Sequence, residues 1–480
     1  MTREKQAAIA AIEEKKELIA SVADRIWEYA ELSLQEEKSA ALYCETLEKE
    51  GFTVERGICS IPTAFSASYG SGRPIIGILA EYDALSGLSQ KAGSTEREEL
   101  VPGACGHGCG HNLLGAGAFA AALGVKAWLE ATKQPGTVVL YGCPGEEGGA
   151  AKAFMAREKL WYGLDAALTW HPKDVNEVVT GSSNSCIQTQ YKFTGIAAHA
   201  AGDPDRGRSA LDAVELMNIG VQFLREHMSD KARVHYAITD AGGRSPNVVQ
   251  TRASVLYMVR SNHVAEAVEL QKRVDKIAEG AALMTETAFE KQFIDGLADT
   301  VPNHTLETVL YRNFEALGVP THTAEEHTFA DALAKTYPGS DSLPGIGAEF
   351  DSAVADQVRE LRAKAGGALN DFLTPLYQGP AFEPGSTDVG DVSWQTPTGQ
   401  IHVAAWPNGC PGHSWQNVSC GRTDLGHKAA VHAGKVLAAT AIDLMTDPAL
   451  LEEAKAEFQK QTAEGYTCPI PADAVPVVPD

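Results

Sequence analysis

The stretch IIGILAEYD, residues 75–83, decides how the rest of the chain is read. Its continuous apolar run is too short for an ordinary helix and reads as a strand buried on both faces. Glu81-Tyr82-Asp83 then places two carboxylates at the strand's carboxyl end. The same arrangement recurs downstream. Residues 137–141 (TVVLY) lead through GCPG to Glu146-Glu147, and residues 166–170 (AALTW) run directly into His171. A helical segment rich in Ala and Gly fills 113–131. Strands separated by helices predict an α/β fold, a mostly parallel sheet flanked by helices. Ligands bind at the carboxyl ends of strands in such sheets, so these polar residues should share one crevice.

Working outward, Ile9, Ile12, Ile19, Val22 and Ile26 recur at helical spacing and predict one long amphipathic helix. A second helix covers 36–49, ended by Gly51. Near Cys186 the texture changes. Residues 186–194 alternate like a half-exposed strand, 209–227 read as a helix, and 234–239 and 253–259 read as strands. A helix at 264–284 and a strand near 287–293 complete a βαββαβ order, which predicts an inserted second domain. The expected division is therefore 1–185 and 299–480 for a catalytic domain, with 186–298 inserted between them. Residues 319–384 are polar and broken by Gly and Pro, an insertion to which the pattern assigns no structure. The tail CPIPADAVPVVPD reads as extended.

Composition narrows the function. Forty Lys+Arg against sixty-three Asp+Glu give a net charge of −23, which argues against nucleic-acid and anionic-membrane partners. The apolar run at 113–125 is too short to span a bilayer and reads as a buried helix. The opening MTREKQAAIAAIEEKKELIASV has no apolar signal core, and nine scattered cysteines fit a reducing compartment. The expectation is a soluble, cytoplasmic protein.

The chemistry concentrates in the crevice. Ahead of the 113–131 helix lies Gly106-His107-Gly108-Cys109-Gly110-His111, a glycine-rich loop with one thiol and two imidazoles. Together with Glu146, Glu147 and His171 it offers carboxylate, imidazole and thiolate, the ligand set of zinc or another divalent transition metal. Each residue also has an ordinary reading: Asp83 as a turn residue, Glu146-Glu147 as solvated surface, His171 as a hydrogen-bonded core histidine, Cys109 as a small buried hydrophobe. Their joint occurrence at successive strand ends favours a metal site. A phosphate loop is excluded because Gly110-His111-Asn112 stands where Gly-Lys-Ser/Thr is needed. Gly115-x-Gly117-x-x-Ala120 formally matches a dinucleotide fingerprint but lies inside a helix. Cys109 with a nearby histidine as a nucleophile–base pair leaves Glu146, Glu147 and His171 without a task.

These letters resemble a known family. The segments AEYDALSGLSQ, GHGCGHNLLG, YGCPGEEGG, ALTWHP, FTGIAAHAA, GRSALDAV, SPNVVQ, KIAEGAALMTET and STDVGDVSW are similar to the dinuclear metallo-amidohydrolases and peptidases. That superfamily includes hippurate hydrolase, auxin-conjugate hydrolases, aminoacylase and carboxypeptidase G, and the likeness runs from about residue 27 to 471. It implies a zinc-peptidase-like catalytic domain and a ferredoxin-like lid or dimerisation domain. It also implies two divalent ions, Zn or Mn, held by Cys109, His111, Glu147, His171 and His413. Cys109 would sit where relatives have a bridging carboxylate. Glu146 resembles the general base that works with metal-activated water, and Asp83 the carboxylate that orients a ligand imidazole. His199, Asn247 and Arg260 resemble lid residues that hold the substrate's carboxylate and reacting oxygen. In relatives the lid histidine can come from a partner subunit, so a dimer is implied, of identical chains or with a related subunit. Asn112 replaces the Asp that hippurate and auxin-conjugate enzymes carry after the metal-site histidine, which points to the p-aminobenzoyl-glutamate branch.

The implied reaction is cleavage of the amide bond in N-acyl or N-aroyl amino acids, with a small carboxylate-bearing amide as substrate. A dipeptidase, aminopeptidase or indole-acyl-amino-acid hydrolase would use the same chemistry. A thiol hydrolase built on Cys109 and a non-catalytic partner subunit are the alternatives of other classes.

Overall fold

In the computed structural model, which describes residues 2–478, four parallel strands lie side by side at the centre. They are Gly136–Gly142, Ile75–Ala80, Ala166–Lys173 and Thr398–Ala404, in that order. Phe65–Ser71 and Thr53–Arg56 extend the sheet antiparallel on one edge, and Glu177–Val178 on the other. The parallel core follows the sequence pattern, while the antiparallel edges escaped it.

Period-two geometry sorts the apolar runs onto two faces. Ile76, Ile78, Val138, Leu140, Leu168 and Trp170 face one side, against the helices His111–Thr132 and Asp424–Thr446. Leu79, Val139, Tyr141 and Ala167 face the other, covered by the short helices Ala151–Arg157 and Val389–Ser393. That thinly covered face leaves room for a cavity at the strand ends. His111–Thr132 is long and apolar enough to cross a membrane, yet 89% of its most apolar window is buried inside the fold.

The chain does not open on one helix. Arg3–Glu14 and Lys16–Tyr29 are separate, with Lys15 out of helical geometry between them. Ile12, Ile19, Val22 and Ile26 are all buried, because a seven-residue spacing returns to the same face across a small break. The polar stretch after residue 319 is also ordered, as helices Ala324–Leu333, Ile346–Phe350 and Ser352–Ala365. Thr323 and Glu326 cap the first reciprocally, and Asp351 caps the last. After Pro448–Gln461 the tail forms no further helix or strand to residue 478; Pro479 and Asp480 lie outside the described residues.

A second sheet is formed by Ala288–Leu297, Ser185–Thr194, Arg252–Ser261 and Arg233–Asp240, in that order and all antiparallel. Helices Ala210–Arg225 and Val264–Thr285 pack on one of its faces around Tyr191, Phe193, Val214, Met217, Val255 and Val274. The opposite face carries Gln188, Met258 and Arg260, residues that alternate with the core positions, and it roofs the crevice.

Candidate metal centre

The carboxyl ends of the parallel strands open into a cavity of about 420 Å³, within the ordinary range for a small-molecule site. Cys109, Glu146, Glu147, His171 and His413 line it, and Arg260 reaches it from the roof. Gly110, at φ 81, turns the chain between Cys109 and the His111–Thr132 helix, a left-handed conformation that glycine adopts without strain. His413 takes a similar left-handed conformation, at φ 53, without being glycine. Such strain is tolerated where a side chain must be aimed. His107, the other imidazole of the loop, points away and bonds the Ile26 carbonyl at 3.0 Å, the ordinary structural reading.

Five of the expected donors form two overlapping groups, and Glu81, His111 and Glu146 form a third that shares His111. Cys109, His111 and His171 bring ligand atoms within 4.8 Å of one another, and so do Cys109, Glu147 and His413. The Cys109 sulfur is common to both. It lies 3.4 Å from His171 Nε2, and His413 Nε2 is 3.4 Å from Glu147 Oε2. His111 Nδ1 faces Asp83 Oδ1 at 2.8 Å, which turns Nε2 inward. Asp83 Oδ2 accepts from Ser33 Oγ and from the Glu147 backbone N–H, both at 2.8 Å.

Electrostatics favour a cation here. Glu147 Oε1 is buried without a hydrogen-bond partner, an expensive state unless an ion takes its lone pair, and His111 Nε2, also without a hydrogen bond, faces the Glu81 carboxylate at 3.3 Å, where a bound ion would replace its proton. Burial, with Lys173 and His111 nearby, holds His171 well below the usual imidazole range, so it is neutral and its lone pair is free. Burial and then the Glu147 charge push the Cys109 thiol up to about 12, so a thiolate at neutral pH needs positive charge beside it. Burial, Glu81 and Glu147 push Glu146 well above the usual carboxylate range. Burial works against Asp83, but the His111 charge and hydrogen bonds hold it at about 2. Orphaned nitrogen and oxygen, a shared sulfur and a neutral imidazole all fit a pair of divalent ions.

Three groups in and around the centre have no counterpart in the sequence reading. Glu36, buried at the start of helix Glu37–Lys49, accepts the N–H of Gly145 at 2.8 Å and of Leu34 at 2.9 Å. With Asp83 it clamps the turn that carries Glu146 and Glu147. Lys152, fully buried, pairs with Glu81 at 2.7 Å and with Asp388. Glu81 Oε2 in turn lies 3.3 Å from His111 Nε2. His402, beside His171 in the strand register, is held through Nδ1 by Glu177 at 2.8 Å. Two expected residues lie elsewhere. His199 and Asn247 are exposed near the tip of the second sheet, joined through the backbone of their neighbours, and neither lines the cavity of its own chain.

Comparison with known proteins places the chain in a family. A family model described as peptidase family M20/M25/M40 matches residues 77–469. The chain is 46% identical over 473 residues to a p-aminobenzoyl-glutamate hydrolase subunit of Escherichia coli (strain K12), covering 97% of each. It is 27% identical over 474 residues to a Xaa-Arg dipeptidase of Mus musculus, covering 96% of this chain and 93% of that one. Among solved structures, a dinuclear metal-binding peptidase from the M20 family of Bacillus subtilis superposes with a TM-score of 0.55 at 17% identity. That match covers 90% of this chain and 99% of the other and speaks to the fold.

Proposed function

The chain belongs to peptidase family M20/M25/M40, a family of metal-dependent hydrolases of amide bonds, and from that premise we propose that it releases an amino acid from N-acyl or N-aroyl conjugates resembling p-aminobenzoyl-glutamate. The observation that carries this reading is the pair of donor groups sharing Cys109, with Glu146 beside them at the cavity wall. Cys109, His111, Glu147, His171 and His413 would hold two divalent ions. Sulfur and imidazole donors favour zinc, and manganese is the alternative. When bound, such ions polarise an amide carbonyl and lower the pKa of coordinated water toward neutrality.

The chain's own residues do the rest. Glu146 takes the proton of the attacking water and delivers it to the departing nitrogen, a transfer typically worth about 10²–10⁴-fold. Asp83 fixes the His111 ring, and the Glu36–Asp83 clamp keeps Glu146 aimed at the cavity. Arg260 receives a substrate carboxylate. His199 and Asn247 serve the reacting oxygen from a partner chain, either a second copy or a related subunit, because their own chain holds them outside its cavity. Nine free cysteines accord with work in the cytoplasm.

Chelator-stripped protein titrated with zinc or manganese, and assayed on p-aminobenzoyl-glutamate at several protein concentrations, tests the proposal. Activity should be absent without metal and level off at two ions per chain. Specific activity should fall on dilution as partner chains separate. Full activity in the stripped protein would assign catalysis to Cys109 as a nucleophile instead.

A further inference from the structure

The strand ends carry more than metal donors. Thr398–Ala404 runs parallel to Ala166–Lys173, with His402 opposite His171 and Ala404 opposite Lys173. Residues two apart on a strand, and partners across a parallel pair, project from the same face. His171, Lys173 and His402 therefore share the cavity side of the sheet, and all three line the cavity.

Two of these groups are left with free binding capacity. His402 is nearly buried and gives Nδ1 to Glu177, whose other oxygen accepts the Ile346 N–H at 2.9 Å. Its Nε2 makes no hydrogen bond among the described residues. Lys173 Nζ makes none either. Its nearest carboxylate, Glu383, is 3.7 Å away and 49% exposed, a weak pair that another carboxylate can displace. From the second sheet Arg260 donates to Ser386 Oγ at 3.3 Å and has no carboxylate within ion-pair distance among the described residues. In a chain of net charge −23, two such cations lining one cavity, Lys173 from the first sheet and Arg260 from the second, are matched to anionic groups of the ligand.

We propose that Lys173 and His402 form a second carboxylate subsite, separate from Arg260, that reads the side chain of the released amino acid. The substrate is then the amide of a dicarboxylic amino acid, with its main-chain carboxylate on Arg260 and its side-chain carboxylate between Lys173 Nζ and His402 Nε2. The Glu177–His402 contact orients the ring, and the Ile346–Phe350 helix supports it through Glu177. This inference rests on the amide-hydrolase reading above.

The test compares p-aminobenzoyl conjugates of glutamate, glutamine and arginine in the metal-loaded enzyme, with metal content and thermal midpoint recorded for every variant. Wild type should favour glutamate over its neutral isostere glutamine by about ten- to hundredfold in kcat/KM, carried mainly by KM. Lys173→Met should lower the glutamate value by about that factor and the glutamine value far less, closing the gap. His402→Gln should narrow the gap with Lys173 intact. Equal losses on both conjugates, or a wild type indifferent to side-chain charge, would overturn the subsite. Preference for arginine would transfer recognition to Glu349 and Glu383, which line an adjoining pocket of about 250 Å³. If no conjugate is cleaved, the parent reading fails by itself. Binding of free glutamate against glutamine, in wild type and Lys173→Met, then still reads the subsite.

Discussion

Glu36 stands 109 residues from the glycine whose N–H it accepts, and nothing in the letters around it announces that partner. The same holds for Lys152 with Asp388, 236 residues apart, and for His402 with Glu177, 225 apart. By contrast Cys109, His111, Glu146, Glu147 and His171 were legible as candidates because each lies near the carboxyl end of an apolar strand or in the glycine-rich loop that opens a helix, where an exposed crevice is expected. A polar residue at a strand end is visible to pattern reading; one that acts through a distant backbone group is not. Glu36 also carries a stability prediction. Burial and the Asp83 charge raise its carboxyl from the usual 4.5 to about 8. The unfolded chain ionises this group near 4.5 while the folded chain retains the proton. Folding must therefore take up a proton, and the group's contribution to stability is lost as pH rises from about 4.5 to about 8. Glu36→Gln keeps an acceptor for Gly145 and Leu34 but cannot ionise. In metal-free protein its melting temperature relative to wild type should rise steadily between pH 5 and 8. A difference that stays flat over this range would contradict the assignment.

Helices and strands with strong periodicity follow the sequence to within a few residues, and the departures have causes. Thr53–Arg56, at the edge, and Phe65–Ser71, between it and the parallel core, carry mixed polar residues because antiparallel strands toward the rim of a sheet need not be apolar on both faces. Capping supplied order to the stretch after residue 319 where hydrophobic periodicity was weak. The helix His111–Thr132 shows what its dinucleotide-like glycines are for. A Cβ on Gly115 would come within 2.3 Å of the Tyr43 hydroxyl, and one on Gly117 within 2.4 Å of the Trp170 ring. The glycines let the helix lie directly on its neighbours, and no phosphate is involved. Gly434, on the facing helix Asp424–Thr446, would place a Cβ 2.5 Å from that of Ala120. Gly434→Ala should therefore cost about 1–3 kcal/mol, seen as a lower urea midpoint at unchanged slope. An unchanged midpoint would mean that the two helices have room to separate.

At the scale of the molecule, one sheet supplies donors at its strand ends and a second sheet roofs them. The α/β class with its flanking helices was readable from alternating apolar runs. Arg260 reaches the cavity as the resemblance implied, but that His199 and Asn247 stand away from the cavity of their own chain was not legible, because it depends on how the two sheets meet. The net charge of −23 acquires a local meaning. Acidic residues dominate the chain, and the cavity itself is lined by Glu146, Glu147, Asp295 and Glu383 as well as Lys173 and Arg260, so the proposed anionic amide would depend on bound divalent ions together with those two cations. The most direct measurement is turnover of p-aminobenzoyl-glutamate by Glu146→Gln at known metal content. The substitution removes the proposed proton carrier and leaves the five proposed metal donors in place. Metal content should match wild type while kcat falls by about 10²–10⁴-fold. Full turnover at unchanged metal content would contradict the mechanism.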